Sequence, residues 1–374
     1  MSSLGYGGTE RTVSYLSSFL ANHGTDVVIL CLTDEVSYEI DPKVKLITAN
    51  IPTLFRGKLD RIRNIIKRVS KINDVIEVEK PDIVFCIIAD SARYFIWRPY
   101  LPFKLVVSER SNPKYYSERE KKRIHKIYRR CSGVVFQTER VCMMYPYIEE
   151  SKKTVIPNAV GNKDAYELHW KTNDSMTFAA IGRLVRGKDY PTLIEAFYRF
   201  KKCHKEYKLK IYGDGSLKSE ILNLIKDKDL SKSVIILESR PDVLKEIVSA
   251  ECYILSSERE GMPNTLLEAM GMGMPCIATD CEYGPAELIQ NGINGLLVKV
   301  GDAQKLCEAM SYIADNKGKA SKLGEEAGKI LETHNIDSVC SKYLEFLESV
   351  SGLESNVSNL RKTDGTHKKG QNIC

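Results

Sequence analysis

Two carboxylates, Glu260 and Glu268, stand eight positions apart around the turn Gly261-Met262-Pro263-Asn264, and the stretch runs on through Thr265, Ala269-Met270, Gly273 and Pro275 to Ile277-Ala278. Pro263 pre-sets its φ and suits the first turn of a helix. Thr265 to Met272 then has good helix formers in Leu266, Leu267, Glu268, Ala269 and Met270. Glu260 then falls in the loop before a helix and Glu268 in its second turn. The backbone N–H groups of Asn264, Thr265 and Leu266 are expected to be free, with the positive end of the helix dipole behind them. That is an anion site, and a phosphate suits it.

Further motifs sit at strand-to-helix junctions, where open α/β sheets bind ligands. Gly182-Arg183-Leu184 and Lys188 deliver two cations to such a crevice, and a planar fork beside a point charge suits a diphosphate. Gly213-Asp214-Gly215 ends another strand; alone it reads equally as a simple turn. Gly7-Gly8-Thr9-Glu10-Arg11 precedes a helix, where glycine lets backbone approach a phosphate or sugar. G-x-G-x-x-G spacing is absent there, against a dinucleotide fingerprint. Glu109 and Arg110 close the strand at 104–107, again at a crevice edge.

The pattern E-G-x-P-x-x-x-x-E-A-M-x-x-G-x-P-x-I-A from Glu260 resembles the donor-site signature of retaining GT-B glycosyltransferases of the glycosyltransferase 4 family. Residues 181–190 are similar to that family's G-R-L-x-x-x-K motif, and residues 7–11 to its G-G-x-E-R loop. The resemblance covers residues 4 to 335. The S-E-R-x-x-P form at 108–113 resembles a subgroup that builds lipid-linked oligosaccharides and surface polysaccharides. Many members carry a histidine near here; this chain has Glu109 and Arg110 instead.

The resemblance implies a retaining transfer of a hexose or N-acetylhexosamine from a nucleoside-diphosphate sugar, a UDP-sugar above all. It puts Arg183 and Lys188 on the diphosphate, Glu260 on the donor sugar hydroxyls, and Glu268 on the ribose. The loops at Gly182, Gly213 and Gly215 lie beside the nucleotide. Gly261, Met262, Pro263, Asn264 and Thr265 complete the donor loop, while Gly7, Gly8, Glu109 and Arg110 face the acceptor. Glu260, Arg183 and Lys188 are the expected catalytic residues. No metal or other cofactor is expected, because cations and a helix start neutralise the leaving diphosphate. Asp227-Lys228-Asp229 spells D-x-D, but among lysines at a helix end it carries no metal role. A nucleotide-sugar epimerase of the same architecture and a non-catalytic nucleotide-binding protein are the alternative readings.

The elements that position these motifs follow from rhythm. Short apolar runs at 26–32, 44–47, 83–88, 104–108 and 133–137 alternate with helical patterns at 9–22, 58–79, 117–130 and 139–144. The rhythm restarts with strands at 177–181, 207–211, 234–237, 252–256, 276–278 and 295–297, and helices at 191–204, 216–228, 240–249, 263–273, 284–290 and 302–332. This means an α/β fold of two Rossmann-like, doubly wound domains facing across a cleft. Residues 1–160 form the acceptor-binding domain, 161–174 a linker, and 175–335 the donor domain. A helix at 336–350 crosses back, and a disordered tail runs over 351–374. The chain opens on what looks like the loop after a first buried strand, so that strand is expected to be missing.

The 374 residues suffice for two domains, and no apolar run approaches a membrane span. Eleven scattered cysteines without C-x-x-C pairs read as reduced core thiols, and six dispersed histidines offer no zinc spacing. A cytoplasmic protein is expected, peripheral on the inner face of the cell membrane. Residues 1–160 hold 26 Lys+Arg against 18 Asp+Glu, a balance of +8, while residues 161–374 hold 29 against 31, or −2. The basic half suggests an anionic partner. In 56–71, apolar residues 59, 62, 65, 66 and 69 share one helical face with cations opposite; 119–130 is similarly basic. Each reads as a solvated surface helix or as an interfacial helix on anionic lipid. Neither carries the aromatics of a nucleic-acid site.

Overall fold

A computed structural model describes residues 1, 3–5, 7–52, 57–161, 175–238 and 243–352. Of the expected linker at 161–174 and tail at 351–374, residues 162–174 and 353–374 lie outside the described residues.

The second domain is one six-stranded sheet, parallel throughout. Writing the strands in chain order over the whole molecule, its members are β7 (Thr177–Ile181), β8 (Lys208–Tyr212), β9 (Val234–Leu237), β10 (Cys252–Leu255), β11 (Cys276–Thr279) and β12 (Leu296–Val298). They lie in the order β12-β11-β10-β7-β8-β9. Central strands β7, β10 and β11 are buried at every position, as a sheet covered on both faces requires. Phe178, Phe197 and Phe200 anchor the core on one face, and Leu266, Met270 and Ile247 that on the other. The loops leaving β7 and β10 sit side by side, so Lys188 and Glu260 meet although they are far apart in sequence.

The first domain contains two parallel sheets: β1 (Val28–Cys31) with β2 (Lys45–Thr48), and the set β3 (Ile83–Cys86), β4 (Lys104–Glu109), β5 (Gly133–Phe136) and β6 (Lys153–Val155). Strand β6 had no counterpart among the sequence expectations. No strand precedes the first helix, α1 (Gly8–Asn22), among the described residues. Instead Met1 lies alongside the end of β1: its amine donates to the Leu30 carbonyl, and its carbonyl accepts from Leu32 N–H.

One helix turns its apolar row outward, and another differs from expectation. In α2 (Lys58–Glu79) the buried line is Asn64 and Arg68, continued by Ile72 and Ile76 against the core. Arg68 donates to the Pro52 carbonyl at 2.6 Å. The expected apolar face therefore points to solvent over its first two turns. The helix expected at 302–332 is three: α10 (Ala303–Asp315), α11 (Lys317–Gly328) and α12 (Leu331–His334). Asn316, at φ −128 and ψ 60, leaves helical geometry and breaks the first junction.

The last helix, α13 (Ile336–Ser351), does cross back. Val339, Tyr343, Leu344 and Leu347 pack with Leu16, Leu20, Val106 and Val135 of the first domain. Gly133 matters here, because a Cβ on it would press on Phe346 and Val350 of α13. The arriving helix thus completes the core of the domain opposite to the one it leaves.

Candidate functional site at the domain junction

The donor-side loop begins where β10 ends. Ser257 donates to Glu260 Oε1 at 2.6 Å, and Lys188 Nζ reaches the same oxygen at 2.6 Å. Lys188 is held in turn by its backbone: its carbonyl accepts from Ser256 Oγ at 2.9 Å, and the neighbouring Gly187 carbonyl accepts from Glu258 N–H. The pair is mostly buried, with 22% and 11% of the side chains exposed. Arg183 lies nearby on the exit from β7, is exposed, and forms no ion pair among the described residues. A ligand that is anionic at one end and hydroxylated at the other matches this set: Arg183 is free for charge, and the Lys188–Glu260 pair offers a donor and an acceptor together.

Helix α8 (Asn264–Gly271) follows. Pro263 stands just outside it, at φ −78 and ψ 101, rather than in its first turn. The first N–H to find a carbonyl of the turn is that of Leu267, on Pro263. The three preceding N–H groups therefore face the loop as the sequence suggested. Tyr253 fixes the start by a 2.7 Å hydrogen bond between its hydroxyl and that of Thr265.

The glycines are matters of backbone contact. A Cβ on Gly213 would collide with the Gly182 carbonyl, and one on Gly215 with the Leu184 backbone. Leu184 N–H donates to the Asp214 carbonyl at 2.8 Å, and Leu217 N–H to the Leu184 carbonyl at 3.0 Å. The Gly213–Gly215 turn thus braces the Arg183 loop. At Gly284, φ is +90 and a Cβ would strike the Gly261 carbonyl, which seats the donor loop from the other side.

The two domains touch across this loop. Gly8 abuts the Asn264 amide, and Gly261 abuts the Arg110 carbonyl. Glu268 is buried, and Arg11 of α1 reaches across to pair with it. Burial pushes the Glu268 carboxyl above its ordinary range, and Arg11 pulls it back. Glu268 therefore faces the opposite domain as well as its own helix. Lys114 pairs similarly with Glu282.

Sequence reasoning missed the centre of this junction, Asn158. Its Oδ1 accepts from Arg110 Nη1 at 3.1 Å and from Gln137. Its Nδ2 donates to Asn264 Oδ1 at 2.5 Å and to the Met262 carbonyl at 3.4 Å. One buried amide so joins β4, β5 and the donor loop.

Two acceptor-side expectations need revision. Glu109 does not line the junction. Its carboxylate is buried beneath β4, accepting from Tyr116 at 2.7 Å, Tyr128 at 2.6 Å, Tyr145 at 3.3 Å and Ser111 N–H at 3.0 Å. Burial raises its pKa, against the lowering effect of these hydrogen bonds, that from Tyr128 first. Arg110 does reach the junction, but its guanidinium is taken up by Thr12, Asn158 and Tyr343. It ties α1, the interdomain segment and α13 together.

Comparison with known proteins agrees with this architecture. The profile described as Glycosyltransferase Family 4 matches residues 6–161, and Glycosyl transferases group 1 matches residues 167–330. An exopolysaccharide phosphotransferase of Streptomyces coelicolor is 32% identical over 224 residues, 59% of this chain and 24% of that protein. The UDP-Gal:alpha-D-GlcNAc-diphosphoundecaprenol alpha-1,3-galactosyltransferase of Escherichia coli is 28% identical over 195 residues, 48% of this chain and 50% of that protein. The chain thus spans half or less of the length of these two relatives. HepE of Anabaena, solved in complex with UDP, superposes with a TM-score of 0.73 at 16% identity, covering 93% of this chain and 98% of that one. At that identity the likeness speaks to the fold.

Proposed function

Because the chain belongs to the glycosyltransferase 4 family, we propose that it moves a hexose or N-acetylhexosamine from a UDP-sugar to a lipid-linked or polysaccharide acceptor, with retention at the anomeric carbon. The observation that carries the reading is the convergence of Lys188, Glu260 and the start of α8 opposite the Gly7–Gly8 loop. Arg183 and Lys188 take the diphosphate, and the free N–H groups at Asn264, Thr265 and Leu266 add to them. Glu260 accepts from donor sugar hydroxyls, and Glu268 from those of the ribose. In the transfer the bond from the anomeric carbon to the diphosphate oxygen breaks, and the diphosphate leaves with the electron pair. A bond to the acceptor oxygen forms on the same face, and that hydroxyl gives its proton to the departing diphosphate oxygen. Preorganised cations stabilise the charge that develops on the leaving group.

The presence of UDP in the HepE complex and the UDP-sugar in the name of the E. coli relative support the base. The diphosphoundecaprenol of the latter supports a lipid-linked acceptor. Such an acceptor lies in a membrane, and the +8 balance of residues 1–160 suits an anionic one.

Titration calorimetry across UDP-sugars, followed by transfer to polyprenyl-diphosphate-linked glycans, tests the reading. Nuclear magnetic resonance of the product gives the anomeric configuration. Product formed without acceptor would mean an epimerase, and binding without turnover a non-catalytic protein. We further propose that no metal takes part: transfer is expected to survive saturating EDTA, and loss restored by Mg²⁺ or Mn²⁺ would overturn this account of the leaving group.

A further inference from the structure

Helix α2 shows solvent an apolar stripe. Leu59, Ile62 and Ile66 are 85%, 55% and 63% exposed. At i, i+3 and i+7 they share one face, opposite the buried line of Asn64 and Arg68. Lys58, Arg61, Arg63 and Lys67 stand around the stripe, exposed and without ion pairs among the described residues.

Two exposed aromatics stand on the segment next to this helix. Trp97 is 79% exposed and Tyr100 76%. Their segment is joined to α2 by the hydrogen bond from Arg98 to Asn73. It is joined to α3 (Glu118–Tyr128) by Lys126, whose Nζ lies 5.1 Å from the centre of the Trp97 ring. Single exposed aliphatics are ordinary. A row of them, fringed by cations and flanked by exposed Trp and Tyr, has the composition of an element lying in a membrane interface. A second copy fits worse, since a two-fold contact would set each cationic fringe against its own image.

We propose that this face docks on an anionic lipid bilayer. Leu59, Ile62 and Ile66 enter the acyl boundary, Trp97 and Tyr100 lie at headgroup depth, and Lys58, Arg61, Arg63, Lys67 and Lys126 meet lipid phosphates. The inference rests on the reading of a lipid-linked acceptor and adds apolar insertion to the charge attraction stated above. Salt weakens the charge component but not the apolar one.

The test uses the full chain carrying Trp170→Phe, which leaves Trp97 as its one tryptophan. On adding phosphatidylglycerol vesicles, Trp97 emission should shift to the blue and be quenched by brominated acyl chains. The variant Leu59→Ser/Ile62→Ser/Ile66→Ser should lose ~100-fold or more in vesicle partition, by the usual transfer cost of three aliphatic side chains. Replacing Lys58, Arg61, Arg63 and Lys67 by Gln should also weaken binding, and 1 M NaCl should leave a residual bound fraction in the unmodified protein. UDP-sugar affinity should stay unchanged in both variants. Absence of vesicle binding, binding indifferent to the serine variant, or a dimer that this variant dissociates would each overturn the proposal. Vesicle binding with no UDP-sugar affinity would instead break the transferase reading and spare the docking face.

Discussion

Glu260 and Glu268 lie on one loop and helix, yet they are held in opposite ways. Glu260 is paired inside its own domain, with Lys188 and Ser257. Glu268 is paired outside it, with Arg11 of the facing domain. The first pair exists wherever the donor domain folds. The second exists only while the two domains are together. Of two similar carboxylates in one motif, one is therefore held by its own domain alone and the other registers closure.

The largest expected effect breaks the first pair. Lys188→Ala removes a contact to the diphosphate and also strands Glu260, so donor affinity and turnover should fall by ~100-fold. Arg183→Ala removes only the contact, because the Arg183 side chain has no protein partner to strand among the described residues, and should cost ~10-fold. Calorimetry with UDP separates the two. Equal losses would show that the Lys188–Glu260 pair adds nothing, and no loss in either would sink the clamp.

The second pair predicts a split between its own members. On the proposed function, ribose hydroxyls would compete with Arg11 for the Glu268 carboxylate. Glu268→Ala should then weaken donor binding by about 10-fold, whereas Arg11→Ala should leave it unchanged or tighter and lower turnover through poorer closure. If both variants lose donor affinity equally, Arg11 supports the binding surface itself, and the distinction between the two carboxylates fails.

The legibility of these features in the sequence followed their range. Strands 177–181 and 234–237 coincide with expectation because each is a short apolar run, the first buried at every position and the second on the sheet edge. Lys188, Glu260 and the start of α8 were legible because each sits in a local strand–loop–helix unit. Asn158 was not, since its four partners come from three distant segments and no spacing connects them. Glu109 failed for a different reason. The end of β4 is buried on both faces, so period-two alternation cannot say which way a side chain points. In α2 the periodicity was legible and its orientation was not: a surface helix would turn the apolar row inward and an interfacial one outward, and Arg68, reaching the Pro52 carbonyl, goes with the outward row.

A smaller effect concerns the crossing between the domains. The carbonyl of His334 accepts from Val160 N–H at 2.7 Å, where the chain leaves the donor domain. Burial lowers the His334 pKa from 6.5 to about 4, with Lys342 adding to it. Between those values the unfolded chain holds a proton that the folded one lacks. Stability is therefore complete above pH 6.5 and falls as pH drops to 4, by ~1–3 kcal/mol in all. Urea melts at pH 7 and pH 5 measure it, and His334→Gln should flatten the difference. An unchanged slope would remove His334 from the account of the junction.

The smallest effect is expected at a third carboxylate, Glu109, which belongs to neither pair. The family pattern puts a sugar-contacting residue near it, while the structure turns it into the core on three tyrosine hydroxyls. Glu109→Gln keeps one carbonyl oxygen to accept, and a tyrosine hydroxyl can reverse to accept from the new amide. Its raised pKa gives the sign of any pH effect. The folded state keeps its proton to higher pH than the unfolded chain does, so this group's contribution declines as pH rises above the ordinary carboxylate range. The neutral glutamine should remove that decline. Transfer and UDP-sugar affinity should stay within ~2-fold, as for a substitution away from the reacting groups, and melting temperature should move by no more than about 4 °C. A loss of turnover above ~10-fold in a variant that melts normally would return Glu109 to the acceptor side. It would then be a catalytic carboxylate hidden by the closed junction, and Glu260 and Glu268 would no longer be the pair that matters.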